Sequence, residues 1–91
     1  MKHGRTDSYQ ADLVRDLRKM AFSVAVTSDV GGGFTDLVVG KYYQTWLVEL
    51  KTDDAEYTPD QIKFHREWKG RPILTFRSYE EGIRWGMGVK P

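Results

Sequence analysis

An α/β domain, a mixed central sheet flanked by helices in the order αβββαβα, is the fold class that this sequence predicts. Three observations carry the reading. Apolar residues recur at three- and four-residue spacing near the start of the chain, and β-branched runs alternate through its middle. Two cap-like segments, Thr58-Pro59-Asp60-Gln61 and Ser78-Tyr79-Glu80-Glu81, punctuate the second half. The connections are short, with no linker, repeat or low-complexity stretch, so residues 1–91 read as one layered domain.

The first helix follows from DSYQADLVRDLRKMAF, in which Leu13, Val14, Leu17, Met20 and Ala21 share a side and Thr6, Asp7 and Ser8 are candidate caps. FSVAVTS, from Phe22, is β-branched and alternating, and predicts a strand entering the Ser28 to Gly33 turn, where three glycines permit unusual backbone angles. FTDLVVG and TWLVELK predict two further strands joined across KYYQ as an antiparallel hairpin. Thr58 as cap, Pro59 at the first helical position and Gln61 three after the cap start a second helix, which runs to about Lys69 and stops at Gly70. Pro72 to Arg77 predicts a fourth strand. Ser78 then opens a second capping box and a last helix interrupted by glycine.

Composition narrows the function. With 91 residues the chain is near the size at which a core buries roughly 60 to 65% of the unfolded surface, so modest stability is expected. Its 14 basic and 13 acidic residues leave a net charge of +1, too little for a strong overall field, and an anionic partner must be met by a local patch. The absence of Cys excludes disulfides, thiolate metal sites and a cysteine nucleophile. No apolar run is long enough to span a membrane and MKHGRTDSYQ is too polar for a signal peptide, so no membrane role and a cytoplasmic location are the expectation.

The stretch GGGFTDLVVGKYYQTWLVELK places charge inside a sheet. Alternation puts Glu49 and Lys51 on one face with Thr45 and Leu47, and Trp46, Val48 and Leu50 on the other. Phe34, Asp36 and Val38 share a face of the preceding strand, and antiparallel pairing brings Asp36 within reach of Glu49. Two half-buried carboxylates repel, and a cation joining them relieves the cost; Mg²⁺ suits such a pair and accepts phosphate oxygens as further ligands. A Lys alongside balances charge developing on a phosphate. Each piece also has a plainer reading: Glu49 and Lys51 as a solvated ion pair, Asp36 as a strand-start residue, Gly31 to Gly33 as a simple loop.

These residues resemble the PD-(D/E)XK nuclease superfamily, and within it the small virus-type replication-repair nucleases, the VRR-NUC group. GGGFTDLVV, WLVELK and YTPDQ carry the likeness over nearly the whole chain. It implies a restriction-endonuclease-like fold and a metal-dependent endodeoxyribonuclease of a prokaryotic or phage-infected cell, with a non-catalytic nucleic-acid-binding subunit of the same fold as the alternative. Thr35-Asp36 stands where the family has Pro-Asp, and Glu49-Leu50-Lys51 where it has its (D/E)XK motif. By resemblance Asp36, Glu49 and the Leu50 carbonyl would hold Mg²⁺ or Mn²⁺, and Lys51 would act on the attacking water. Gln61 would join the catalytic group, or serve only the capping box. Gln10 falls where related junction resolvases carry Glu, which implies an accessory, orienting role; its alternative is a polar residue bordering the core.

Gln61, Phe64, His65 and Trp68 share one face of the second helix, with the aromatics expected to pack on the sheet, and His65 reads as a hydrogen-bonded border residue. Lys63 and Arg66 on that helix, the Ser28 to Gly33 loop with Gly32 and Gly33, and basic residues including Lys2, His3, Arg5, Arg71, Arg77 and Arg84 are candidate phosphate contacts. No base-reading motif is present, so recognition by DNA shape is expected, and the resemblance to structure-specific and junction-resolving nucleases implies branched DNA. A domain this small covers few base pairs and a junction needs two cuts, so a homodimer is expected, with Trp46, Tyr42, Tyr43 or Trp85 at its interface.

Overall fold

The computed structural model describes residues 6–52 and 54–91. Lys2, His3 and Arg5, and the side chains of Thr6, Asp7 and Ser8, lie outside the described residues. Helix α1 spans Thr6–Lys19 and buries Tyr9, Leu13, Val14 and Leu17 along one stripe. Leu13 and Leu17 are fully enclosed, which is worth about 2–3 kcal/mol each. The helix closes on a double bond pattern, Phe22 N–H to the Leu17 carbonyl at 3.1 Å and Ala21 N–H to the Arg18 carbonyl at 3.0 Å. That closure holds Ala21 at φ 70°, a conformation suited to glycine. Ala21→Gly is therefore expected to stabilise the protein by about 0.5–1 kcal/mol, seen as a higher urea midpoint at unchanged slope.

Strands β1 (Ser23–Val26), β2 (Leu37–Lys41), β3 (Gln44–Leu50) and β4 (Leu74–Phe76) form one sheet in the order β1-β2-β3-β4. The first three are antiparallel and β4 runs parallel to β3, the mixed sheet that the sequence predicts. β4 is shorter than the stretch from Pro72 to Arg77, because pairing with β3 extends only over Leu74 to Phe76 and Pro72 has no N–H for a ladder. The β2–β3 turn is tight: Tyr42 (φ 55°) and Tyr43 (φ 63°) both adopt left-handed backbone, the signature of a type I′ hairpin turn.

Helix α2 is Pro59–Glu67 and helix α3 is Tyr79–Met87. α2 ends short of Lys69, since Trp68 turns extended (ψ 127°) as the cap. Ser78 accepts the Glu81 N–H as expected, but the Glu81 carboxylate reaches the Arg77 N–H instead of the cap's own, so this capping box is displaced by one residue.

One face of the sheet (Leu37, Val39, Trp46, Val48, Leu50 and Phe76) forms the core with α1 and α3. Gly82 and Gly86 let α3 approach α1: a Cβ would lie 2.8 Å from Leu13 Cδ1 and 3.0 Å from Leu17 Cδ2. Trp46 and Trp85 meet edge to face inside this layer, with centroids 5.0 Å apart. Buried Trp46 is thus no interface residue, whereas Tyr42 and Tyr43 remain exposed at the hairpin tip. α2 lies on the other face and buries no residue. Of its expected sheet-packing aromatics, Phe64 rests edge-on against Phe34 at 5.3 Å, but Trp68 stacks on Phe64 at 5.5 Å and stays partly exposed. Among the described residues no helix is long and apolar enough to cross a membrane.

Candidate active site

The strand register decides which charges meet. One step beyond the Leu37–Val48 pair, Asp36 stands across from Glu49 at the mouth of the hairpin. Its backbone is clamped from both sides, N–H to the Val48 carbonyl at 3.1 Å and carbonyl from the Thr27 N–H at 2.8 Å. Thr27 Oγ1 adds a bond to the Thr35 carbonyl (2.8 Å), and buried Thr35 donates to the Leu37 carbonyl (3.2 Å), so hydroxyls brace the segment. Asp36 Oδ2 accepts the Leu50 N–H at 2.8 Å. Because N–H and C=O of one strand residue leave by the same edge, the Leu50 carbonyl faces the Asp36 side as well.

Glu49 is 2% exposed. Its Oε2 accepts from Gln61 Nε2 at 3.1 Å, while Oε1 is buried with no hydrogen-bond partner among the described residues. Burial pushes the carboxyl up to about 8; the adjoining Asp36 carboxylate adds to the rise, and Lys51 opposes it. Lys51, 8% exposed, donates from Nζ to Gln61 Oε1 at 2.6 Å and to the Glu56 carbonyl at 3.2 Å.

Gln61 is the hinge of the arrangement. Its Oε1 also accepts the Thr58 N–H (2.9 Å) and its own N–H goes to Thr58 Oγ1 (3.2 Å), so it completes the capping box and joins Glu49 to Lys51 with the same side chain. The capping box that the sequence predicts is formed, and the same side chain contacts Glu49 and Lys51.

A buried acid kept protonated favours folding at low pH. As its folded value lies above the unfolded one, stability without metal falls as pH rises from about 4.5 towards 8, and levels off above. Urea midpoints measured in EDTA across that window should show this decline in the wild type and a flatter profile in Glu49→Gln; identical profiles would refute the raised carboxyl.

No family model matches the sequence, and no curated protein matches it. A solved structure described as a VRR_NUC domain superposes on 93% of this chain and 97% of its own length, with a TM-score of 0.76 and 19% sequence identity. The chain has the fold of a VRR_NUC domain. The likeness is one of architecture, and the site is read from the residues of this chain.

On this VRR_NUC fold the remaining sequence-predicted residues scatter. Gln10 accepts from Ser28 Oγ at 3.3 Å and makes no hydrogen bond to the Asp36–Glu49–Lys51–Gln61 group among the described residues. Gly32 is exposed, whereas Gly33 abuts the α2 start, where a Cβ would lie 2.3 Å from the Asp60 carbonyl oxygen. Lys63 and Arg66 are exposed on α2. Arg71 reaches Gln44 at 3.4 Å, five residues along β3 from Glu49 and so roughly 17 Å from the acid pair. Arg77 braces the loop after β3 through the Thr52 (3.0 Å) and Ala55 (2.8 Å) carbonyls.

The sequence reading passes over Tyr9. Its buried hydroxyl donates to the Lys51 carbonyl at 2.6 Å and the Phe76 carbonyl at 3.1 Å, fixing the strand that carries Glu49 and Lys51. Burial raises this phenol to about 12, so it remains a donor. Its place four residues before Leu13 was the available signal. His65 also departs from expectation: its Nε2 is buried without a hydrogen bond among the described residues.

Among the described residues no three His, Asp or Glu side chains make a ready cage. Two carboxylates and a carbonyl nevertheless suit a hard divalent cation that keeps several waters, and the unpartnered Glu49 Oε1 provides a lone pair for it.

Proposed function

We propose that this domain is a divalent-metal-dependent DNA endonuclease that hydrolyses phosphodiester bonds, with branched DNA as its substrate and Mg²⁺ or Mn²⁺ as its ion. The observation that carries this reading is buried Glu49 paired with half-buried Asp36 beside Lys51, with Gln61 tying the acid to the amine. Such a pair is costly for folding alone and useful once a cation joins it.

Asp36, Glu49 and the Leu50 carbonyl would hold the cation, which when bound supplies Lewis-acid stabilisation of a phosphate and a more acidic water. Gln61 Oε1 and the Glu56 carbonyl aim the Lys51 ammonium at the acid pair, where it orients the attacking water and offsets charge on the phosphate. The Leu50 N–H holds Asp36 in one rotamer and the Gln61 amide does the same for Glu49, so little reorganisation is left for the reaction. The water oxygen forms the new bond to phosphorus as the bond to the leaving sugar oxygen breaks; the water gives up a proton to solvent and the leaving oxygen takes one from it. Ser28 and Gly32 at one side and Lys63 and Arg66 on α2 are the phosphate contacts of this reading, and a second copy of the chain supplies the second cut of a junction.

Labelled four-way junction, linear duplex and single strands incubated in Mg²⁺, Mn²⁺ or EDTA test it. Junction cleavage that requires metal is the expected result. Tight, salt-sensitive binding of the junction without cleavage in either metal would replace this reading with a non-catalytic binding subunit.

A further inference from the structure

Backbone strain gathers at the end of the sheet away from the acid pair. Among the described residues the non-glycine positions with positive φ are Ala21 (70°), Tyr42 (55°) and Tyr43 (63°), and all three border one cleft of about 610 Å³. A type I′ turn ordinarily takes Asn-Gly, which adopts this backbone at little cost, whereas two tyrosines oppose it. No burial offsets the strain, since Tyr43 is fully exposed and Tyr42 nearly half exposed. Strain of this kind collects at functional surfaces.

The cleft opens on the face that carries the acid pair. Alternation places Val38 and Gly40 on the side of Asp36, and Thr45 and Leu47 on the side of Glu49; Ser23 and Ala25 of β1 lie opposite Gly40 and Val38. Helix α2 leaves this end open, and Ser23, Ala25 and Thr45 are exposed. A shallower hollow shares Ser23, Gly40 and Thr45 with the cleft and continues to Ala25 and Val38, two residues from Asp36. A track of small side chains thus joins the acid pair to Tyr43, which precedes Glu49 by six residues and so lies about 20 Å from it.

No acidic residue lines either hollow, and basic residues flank the tip. Lys41 Nζ lies 5.1 Å from the Tyr42 ring centroid. Gln44, in the cleft wall, accepts from Arg71 at 3.4 Å and donates to the Lys90 carbonyl at 2.9 Å, which brings both of those residues to the hairpin. Exposed aromatic rings with basic neighbours hold unpaired bases, because every base has a π-face to stack and a phosphate to neutralise. We propose that the β2–β3 hairpin is a second nucleic-acid site, where an unpaired strand crossing from the acid pair stacks a base on Tyr43 and sets its phosphates beside Arg71 and Lys90. The inference rests on the nuclease reading above and deepens it, since it adds a contact about 20 Å from the cut that a fully paired strand does not make.

Fluorescence anisotropy of the full chain in EDTA, with a labelled thymidine oligomer of about twenty nucleotides and a duplex of equal length, reads binding apart from cleavage. Tyr43→Ala should weaken the single strand by about tenfold or more and Tyr43→Phe by less than about threefold, while duplex binding changes by less than about twofold. Tyr43→Gly separates binding from folding: relief of strain should raise its urea midpoint, yet it should lose the single strand as Tyr43→Ala does. Ultraviolet crosslinking of an iodouracil-substituted oligomer should mark the Tyr42-Tyr43 segment. Single-strand binding kept by Tyr43→Ala to within about twofold, or crosslinks only elsewhere, would overturn the hairpin site and leave the nuclease reading standing. Dissociation of a wild-type dimer by Tyr43→Ala, seen in sedimentation, would overturn it in favour of a second copy of the chain at the tip. If the wild type binds neither probe, the nucleic-acid reading fails and the hairpin site with it.

Discussion

Replacing Lys51 by methionine is expected to lower single-turnover junction cleavage by about a thousandfold or more while Mn²⁺ affinity changes by only a few fold. The side chain's stem is preserved, and the backbone contacts of this residue, N–H to the Phe76 carbonyl at 2.9 Å and carbonyl from Tyr9 at 2.6 Å, do not depend on the amine. The fold should therefore survive. What disappears is the Lys51 charge, and with it the influence that holds the Glu49 carboxyl down. Metal-free Lys51→Met should consequently keep Glu49 protonated to a still higher pH. Arginine should rescue poorly, because its planar fork does not fit where Nζ sits between Gln61 Oε1 and the Glu56 carbonyl. Cleavage retained within about tenfold would remove Lys51 from the chemistry.

Gly33→Ala is expected to be the most damaging small substitution outside the charged group. The backbone there has φ 83°, and the added Cβ would lie 2.3 Å from the Asp60 oxygen and 3.0 Å from the Gln61 nitrogen. Those are backbone atoms at the start of α2, so no side-chain rotation relieves the contact. Either the protein loses about 2–4 kcal/mol, or α2 shifts and takes Gln61 off Glu49 and Lys51. Gly32→Ala is the control: its φ of 65° is also left-handed, but nothing lies within 4 Å of the new Cβ, so only about 1–2 kcal/mol of backbone strain is expected. Urea midpoints and cleavage rates of the two variants separate these cases. Equal behaviour would mean that the loop does not support the helix start.

Sequence signals were informative where the physics is local. Thr58-Pro59-Asp60-Gln61 states its own cap, and alternation through TWLVELK fixes which charges share a face, so the Asp36–Glu49 encounter follows once the hairpin register is granted. The Tyr42-Tyr43 turn carries no Asn or Gly, and only the need to join β2 to β3 directly makes it a tight turn. Residues whose role depends on distant partners were harder to place. Tyr9 acts across 42 residues on Lys51, and nothing in its neighbourhood marks it as more than an aromatic on an apolar stripe. Arg71 stands next to the fourth strand in the sequence, yet parallel pairing sets it at the far end of β3 against Trp46 and Gln44. His65 has a definite helical face in the sequence, but its missing hydrogen bond emerges only once Glu49 is placed opposite.

The light seating of α2 has a consequence for heat inactivation. A helix with no buried residue, held by the Phe34–Phe64 and Tyr57–His65 edge contacts, its cap and the Gln61 amide, can detach at a smaller free-energy cost than the α1–α3 core can melt. The amide hydrogens of Ile62 to Trp68 should then exchange faster than those of β2 and β3. Catalysis should fade, and return on cooling, at temperatures where the far-ultraviolet signal of the whole domain is still intact.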